Sequence, residues 1–352
     1  MMKVHNHVMQ NSSLDPLKTS SYDYVLPKEL IATHPVHPAD TARLLVYNRQ
    51  NNTITHSTYK NLLDFLPDDI AVLLNDTKVI KARILGKKDT GGKTELLFTK
   101  PMPSDEYLCL IKGKVHIGSR LYFDNDLEVE VVALNEDGSR IVKFFQNEIQ
   151  LDFLSLVDIL NNIGHLPLPP YMHRDDVEED NKDYQTLFAK KYGAVAAPTA
   201  SLHFTNELLE NLKNKYTVDY LTLHVGAGTF KPVDAENICD HPMHSEYFDI
   251  PTAANEILSS NTNILAVGTT VTRTIEYNAR TKKTFGECDL FLNTSNKPIR
   301  VDHLLTNFHL PKSTLIMLIA SFVGIEKTME IYDIAIREKY RFFSYGDGML
   351  II

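Results

Sequence analysis

The chain has 352 residues, of which 43% are hydrophobic and 23% charged, and its formal net charge is −9. That length holds two domains and a sizeable core, the composition is that of an ordinary globular protein, and the negative balance argues against indiscriminate nucleic-acid binding over the whole surface. Cys109, Cys239 and Cys288 are far apart in sequence. They offer no CxxC metal or iron–sulfur signature and no disulfide framework, which points to a reducing compartment. The first residues show no apolar signal region. The longest apolar run, Leu315 to Gly324, is too short to span a bilayer. The expectation is a cytoplasmic protein with no membrane partner.

In chain order, 44–48 and 53–57 read as a hairpin across Arg49-Gln50-Asn51-Asn52. Tyr59 to Leu66 reads as a helix that stops at Pro67. From Ile70 to Phe145 the texture is short strands (70–75, 79–85, 93–99, 106–111, 120–123, 127–134 and 140–145), with turn signals such as Thr90-Gly91-Gly92 and Asp137-Gly138. Strands at this spacing predict a small antiparallel barrel. After Glu148 helices and strands alternate: helix 149–163, helix 206–215 into strand 220–225, helix 252–260 into strand 264–268, then helices near 314–323 and 326–339. This is an α/β pattern. The expected architecture is an α/β main domain, discontinuous over 1–68 and 150–352, with a small antiparallel β-barrel domain inserted at 69–149.

Charge is uneven along the chain. Between Lys78 and Arg120 there are ten basic side chains against four acidic ones. Such a segment is a solvated face in the ordinary case, and it is also what a protein that binds one specific RNA presents.

Three loops follow predicted strands: Asn75-Asp76-Thr77, the glycine-bearing His224 to Lys231, and Gly268-Thr269-Thr270, which opens a helix containing Arg273 and Glu276. Ligands in open α/β sheets bind at the carboxyl ends of strands, where glycine lets the backbone approach and helix N-termini face the ligand. The glycine loop is neither a P-loop nor a GxGxxG fingerprint, and each loop taken alone reads equally as a tight turn. The stretch 304–315 gathers Asn307, His309, Lys312 and Ser313 ahead of an apolar helix that Ser313 or Thr314 can cap. Polar groups crowded at the start of a buried helix are costly unless they meet a ligand, although a well-capped helix beside a solvated lysine fits the same residues. His241, His244 and Glu246 cluster without a standard metal spacing, so no metal is expected, and a general base or a polar contact to a sugar is the functional reading. Ser201 lacks a nucleophile elbow. His203 reads as a base or as a satisfied, half-buried histidine.

Segments 22–35, 75–97, 164–174, 184–204, 221–233, 243–248, 266–276, 304–318 and 338–350, in that order, resemble the S-adenosylmethionine:tRNA ribosyltransferase-isomerases of queuosine biosynthesis. GAVAAPTASLHF, HVGAGTF and LLTNFHLPKST carry the resemblance most specifically. It implies a small β-barrel inserted in an α/β domain. It also implies an enzyme that moves and isomerises the ribosyl group of S-adenosylmethionine onto the aminomethyl group of a 7-deazaguanine at the tRNA wobble position, yielding epoxyqueuosine and releasing adenine and methionine. The partners are then S-adenosylmethionine, consumed as a substrate, and tRNA; no further cofactor is needed, and a monomer suffices.

Candidate catalytic groups are His203, His244, Glu246 and His309. Candidate substrate contacts are Asp76, Thr77, Thr199, Gly226, Gly228, Thr229, Thr269, Thr270, Arg273, Asn307, Lys312 and Ser313, with Arg273 and Lys312 read as holding a carboxylate or phosphate. Candidate RNA contacts are Lys78, Arg83, Lys87, Lys88, Lys93 and Arg341. The chain departs from the family pattern at Ala39-Asp40, at Ser201, at Asn293 to Asn296 and in a short stretch between Glu276 and Asp289. Two rival readings are a methyltransferase, for which Gly226-Ala227-Gly228 weakly mimics a glycine loop, and a tRNA-binding paralogue without turnover.

Overall fold

The computed structural model describes residues 14–226, 228 and 233–352. Strands β1 (Arg43–Asn48) and β2 (Thr53–Thr58) form the expected hairpin. The helix expected from Tyr59 follows as a 3-10 helix over Tyr59–Asp64. Next come β3 (Ile70–Asn75) and β4 (Thr77–Val79). The barrel segment holds β5 (Arg83–Lys88), β6 (Lys93–Met102), β7 (Glu106–Lys112), β8 (Arg120–Tyr122), β9 (Leu127–Leu134), β10 (Arg140–Gln146) and β11 (Ile149–Gln150). The remainder is α1 (Phe153–Ile163), α2 (Asp180–Asp183), β12 (Lys191–Ala194), α3 (Asn206–Lys215), β13 (Thr217–Leu223), β14 (Glu246–Asp249), α4 (Thr252–Ser259), β15 (Asn263–Val267), α5 (Thr269–Thr281), β16 (Phe285–Cys288), β17 (His303–Asn307), α6 (Thr314–Val323), α7 (Ile325–Arg337) and β18 (Gly348–Ile351).

The barrel strands run in the order β10-β7-β6-β5-β8-β9, and β9 pairs back to β10, which closes a six-stranded antiparallel barrel with β11 at its margin. Alternation along the strands turns Leu96, Phe98, Tyr107, Val129, Val131 and Phe144 inward. Leu156, Val157 and Leu160 of α1 join the same apolar cluster. The sequence reading started α1 at Ile149. It begins at Phe153 because Asp152 accepts from the Ser155 amide at 2.8 Å and fixes the N-cap there.

The second sheet has nine strands in the order β16-β14-β13-β3-β15-β17-β18-β1-β2. Its centre, β13-β3-β15-β17, is parallel. β3, grouped with the barrel in the sequence reading, lies in this centre: all six of its residues are buried, as a strand covered on both faces requires. An unbroken apolar run does not reveal which sheet receives it. The carboxyl ends of the four parallel strands deliver Asn75, His224, Gly268 and Asn307 to one edge of the sheet.

Helix α5 is polar in sequence yet largely buried. The Thr272 and Thr274 hydroxyls turn back onto the carbonyls of Gly268 and Thr270 at 3.1 and 2.9 Å, which satisfies them internally. Glu276, fully buried, accepts from the amides of Ile299, Arg300 and Val301, each at 2.8 Å, and pairs with Arg280. It pins the chain entering β17 to α5. Glu276→Ala strips three backbone amides, one of them buried and two part-buried, and one guanidinium of their acceptor, so a loss of about 3–4 kcal/mol in urea unfolding is expected, with the Gln variant retaining part of it.

Candidate active site

A pocket of about 690 Å³, its open mouth included, lies at the carboxyl edge of the parallel strands. Its walls are Ala196 to Ala200, the Gly268-Thr269-Thr270 turn, the run Thr306 to Leu310, Ser313 and Leu315, with Tyr171, Phe343 and Ser344 opposite. Gly268 has φ +98°, a conformation that side chains resist, and it lets β15 turn directly into α5. Ser313 caps α6 by accepting from the Ile316 amide and donates to the Leu310 carbonyl at 2.7 Å. Two helix N-termini, those of α5 and α6, therefore border one cavity and bring their free amides to it.

Asn307, nearly inaccessible, is held on both ends of its amide. Thr199 Oγ1 donates to its Oδ1 at 2.8 Å, and its Nδ2 faces His203 Nε2 at 3.4 Å. His203 sits behind Asn307, against the Tyr59 ring, and is not part of the pocket wall. Burial, aided by the positive charge of Arg341, holds its imidazole down at about 4. His309 is in the wall: its Nε2 meets the Thr306 hydroxyl at 2.9 Å, its amide donates to Tyr332 Oη at 3.0 Å, and its carbonyl accepts from Tyr24. Burial holds it down at about 3. Both imidazoles are neutral near pH 7. Burial also pushes the Tyr171 phenol up to about 12, and its hydroxyl bonds to Ser344.

A smaller pocket shares Leu315 with the first and is walled by Gly228, His241, Met243, His244, Glu246, Arg273 and Thr314. Glu246 and Arg273 form a buried ion pair there. Glu246 also accepts from the Gly226 amide at 2.9 Å, while Arg273 donates to the carbonyls of Leu290 and Cys288 at 3.0 and 3.2 Å. Arg273, expected to hold a carboxylate or phosphate, lines this pocket with its guanidinium bonded to Glu246 and to these two carbonyls. Exposed His244 lies against Gly228, where a Cβ would come within 2.6 Å of its ring. Among the described residues no three His, Cys, Asp or Glu side chains are grouped to hold a metal ion.

Thr269, Thr270, Thr199, Asn307 and Ser313 thus come together at the larger pocket, and Gly228 at the smaller. Gly226 borders the ion pair, and Thr229 lies outside the described residues. Asp76 and Thr77 sit one layer back: Asp76 accepts from Thr222 Oγ1 at 2.6 Å, and Thr77 Oγ1 is 2.8 Å from His224 Nδ1. Lys312 points away to pair with Asp23 at 2.7 Å, because its own φ of +55° and a backbone bond to Tyr22 turn it outward. Of the expected RNA contacts, Lys78 lies over the Tyr192 ring, Arg83 pairs with Glu95 and Asp175, and Arg341 pairs with Asp347 at 3.7 Å and donates to the His34 carbonyl at 3.3 Å. Lys87, Lys88 and Lys93 lie on the barrel. Tyr171, Phe343 and Ser344 carried no local signal of chemistry; they reach the pocket only through the fold.

A catalytic α/β sheet edge with an inserted barrel is the class these features define. The family described as "Queuosine biosynthesis protein" matches residues 19–351. A curated relative from Aliarcobacter butzleri, named S-adenosylmethionine:tRNA ribosyltransferase-isomerase, is 69% identical over 96% of this chain and 100% of its own length. One of the same name from Nitratiruptor sp. is 58% identical over 96% of this chain and 100% of its own. The crystal structure of S-adenosylmethionine tRNA ribosyltransferase from Thermotoga maritima matches with a TM-score of 0.53 and 33% identity, covering 94% of this chain and 100% of that one. The chain belongs to the queuosine-biosynthesis family of S-adenosylmethionine:tRNA ribosyltransferase-isomerases.

His203, His309 and the partly buried His224, also held at about 4, bind protons more readily when unfolded, where an imidazole titrates near 6.5. Their stabilising effect is complete above about pH 6.5 and fades as pH falls toward 4, by up to about 1.4 kcal/mol per pH unit for each histidine. Denaturant midpoints measured from pH 7 to pH 4 should fall, and a His224→Gln variant that folds should show a shallower decline.

Proposed function

We propose that this chain transfers and isomerises the ribosyl group of S-adenosylmethionine onto the aminomethyl group of a 7-deazaguanine in the tRNA wobble position, releasing adenine and methionine. The observation that carries the reading is the family match across residues 19–351. The larger pocket adds physical sense. Its helix N-termini suit the carboxylate and hydroxyls of the small substrate, and its apolar walls suit the adenine ring.

A sulfonium acidifies the neighbouring ribose 5′ carbon. His309, neutral and in the pocket wall, removes that proton through Nδ1 in the tautomer whose Nε2–H donates to the Thr306 hydroxyl. Adenine leaves as the sugar opens, the neutral amine of the RNA captures it, and closure to the epoxide expels methionine. His203 acts at one remove: it and Thr199 fix the face that Asn307 presents to the sugar. The Glu246–Arg273 pair holds the Gly226 amide rather than exchanging protons.

Incubation with S-adenosylmethionine and tRNA carrying the aminomethyl-deazaguanine should release adenine and methionine only when both are present. Appearance of S-adenosylhomocysteine instead would indicate methyl transfer and overturn the reading. His309→Ala should lower kcat at least 100-fold with little change in KM for S-adenosylmethionine; full turnover removes His309 from the role of base. Thr199→Val, which leaves Asn307 Oδ1 without its donor, should cost roughly 10-fold in kcat and about 1–2 kcal/mol in unfolding stability.

A further inference from the structure

The barrel carries a second large concavity, remote in sequence from the catalytic loops. It encloses about 1380 Å³, open solvent included, between β5, β6 and β8. Register places Tyr122, Lys87 and Lys93 in one row across three strands: Lys87 is opposite Tyr122 on one side and Lys93 on the other. Two lysines directly opposite each other repel and weaken a sheet. Two acids flank the row without pairing to them: Glu95 turns to Arg83 at 3.0 Å and reaches Lys112 at 4.0 Å, and Glu128, opposite Tyr122 on β9, reaches Arg120 at 3.6 Å. Lys112, whose side chain is 82% exposed, adds a third cation to the wall, while Asp124 is the other acid there. Tyr122 is 41% exposed, a large aromatic face left to solvent beside these cations. All this sits on a chain of net charge −9.

Two facing lysines beside an open aromatic ring match a strand of nucleic acid, whose phosphates neutralise the lysines and whose bases stack on the ring. A folded protein partner would leave the lysine pair without the regular spacing of charge that a phosphate backbone supplies. We propose that the Tyr122–Lys87–Lys93 row, with Lys112, is a docking surface for the tRNA backbone, set apart from the chemical site. This rests on the proposed reaction, which makes tRNA the acceptor. Arg83 and Lys78, tied to Glu95 and Tyr192, are not part of this surface.

The test uses the full chain and a labelled, unmodified tRNA transcript, so that binding is read independently of turnover. Lys87→Ala/Lys93→Ala should weaken binding about 10-fold at moderate salt and lower the slope of log affinity against log salt by about two, one per lost phosphate contact. With the modified tRNA, KM for tRNA should rise by a similar factor while KM for S-adenosylmethionine stays unchanged. Tyr122→Ala should weaken binding several-fold and Tyr122→Phe should restore it. An unchanged salt slope and unchanged KM for tRNA in the double variant overturn the proposal. So does loss of binding to phosphatidylserine vesicles in a variant that keeps its affinity for tRNA, which would make the surface a membrane contact. A wild type that binds the transcript through these lysines yet releases no adenine when given the modified tRNA refutes the reaction and leaves the docking surface standing.

Discussion

The buried ion pair between Glu246 and Arg273 is the constraint on which the site depends. Glu246 opens strand β14, Arg273 is one turn into α5, and the pair's remaining bonds reach the Gly226 amide and the carbonyls of Leu290 and Cys288. One interaction thus ties together the Gly226 amide, the antiparallel strand β14 next to the sheet's edge, the segment after β16 and the helix whose N-terminus borders the larger pocket. Two charges taken out of water gain little net stability over apolar residues, but removing one partner strands the other. The pair's value is therefore positional. It fixes where α5 sits and keeps the smaller pocket's wall from collapsing.

A second layer of the same logic runs along α5. Glu276, further along the helix, gathers the three amides before β17 and so sets the height at which Asn307 leaves the sheet. Asn307 is then clamped by Thr199 and His203 from the segment after β12. The pocket is lined by residues from segments distant in the chain, each tied to the next by hydrogen bonds between buried groups. Such bonds are strong because water is excluded, and costly if one member is lost. Burial penalises the charged form of these histidines, so His309 carries no extra proton at neutral pH and is a weaker base than a free imidazole.

The barrel and the α/β domain divide the work by surface character. The catalytic edge is recessed and built from small residues, hydroxyls and helix ends. The barrel displays its lysines outward on short strands, where alternation sends every second residue to solvent. Its basic excess, dilute against the whole chain's acidity, becomes a local field only because three strands bring it into one row.

Much of this was legible in the sequence. Periodic segments with clear caps, such as 206–215 and 314–323, were read at their observed bounds, because Thr205 and Ser313 mark their starts chemically. The hairpin at 43–58 and the barrel strands followed from alternation and turn residues. The loops at Asp76, Gly226, Gly268 and Asn307 were picked out by residue type. What the sequence left open was decided by contacts between distant segments. The same run of apolar residues serves a barrel or a parallel sheet, so only pairing placed β3. A histidine's neighbours in space, not in sequence, put His309 in the wall and His203 behind it. An arginine reads as an anion ligand until the fold supplies a carboxylate, as Glu246 does for Arg273. Local chemistry is written along the chain and sets the elements and the inventory of reactive groups; which of those groups face a substrate, and which face one another, depends on long-range packing that no local pattern encodes.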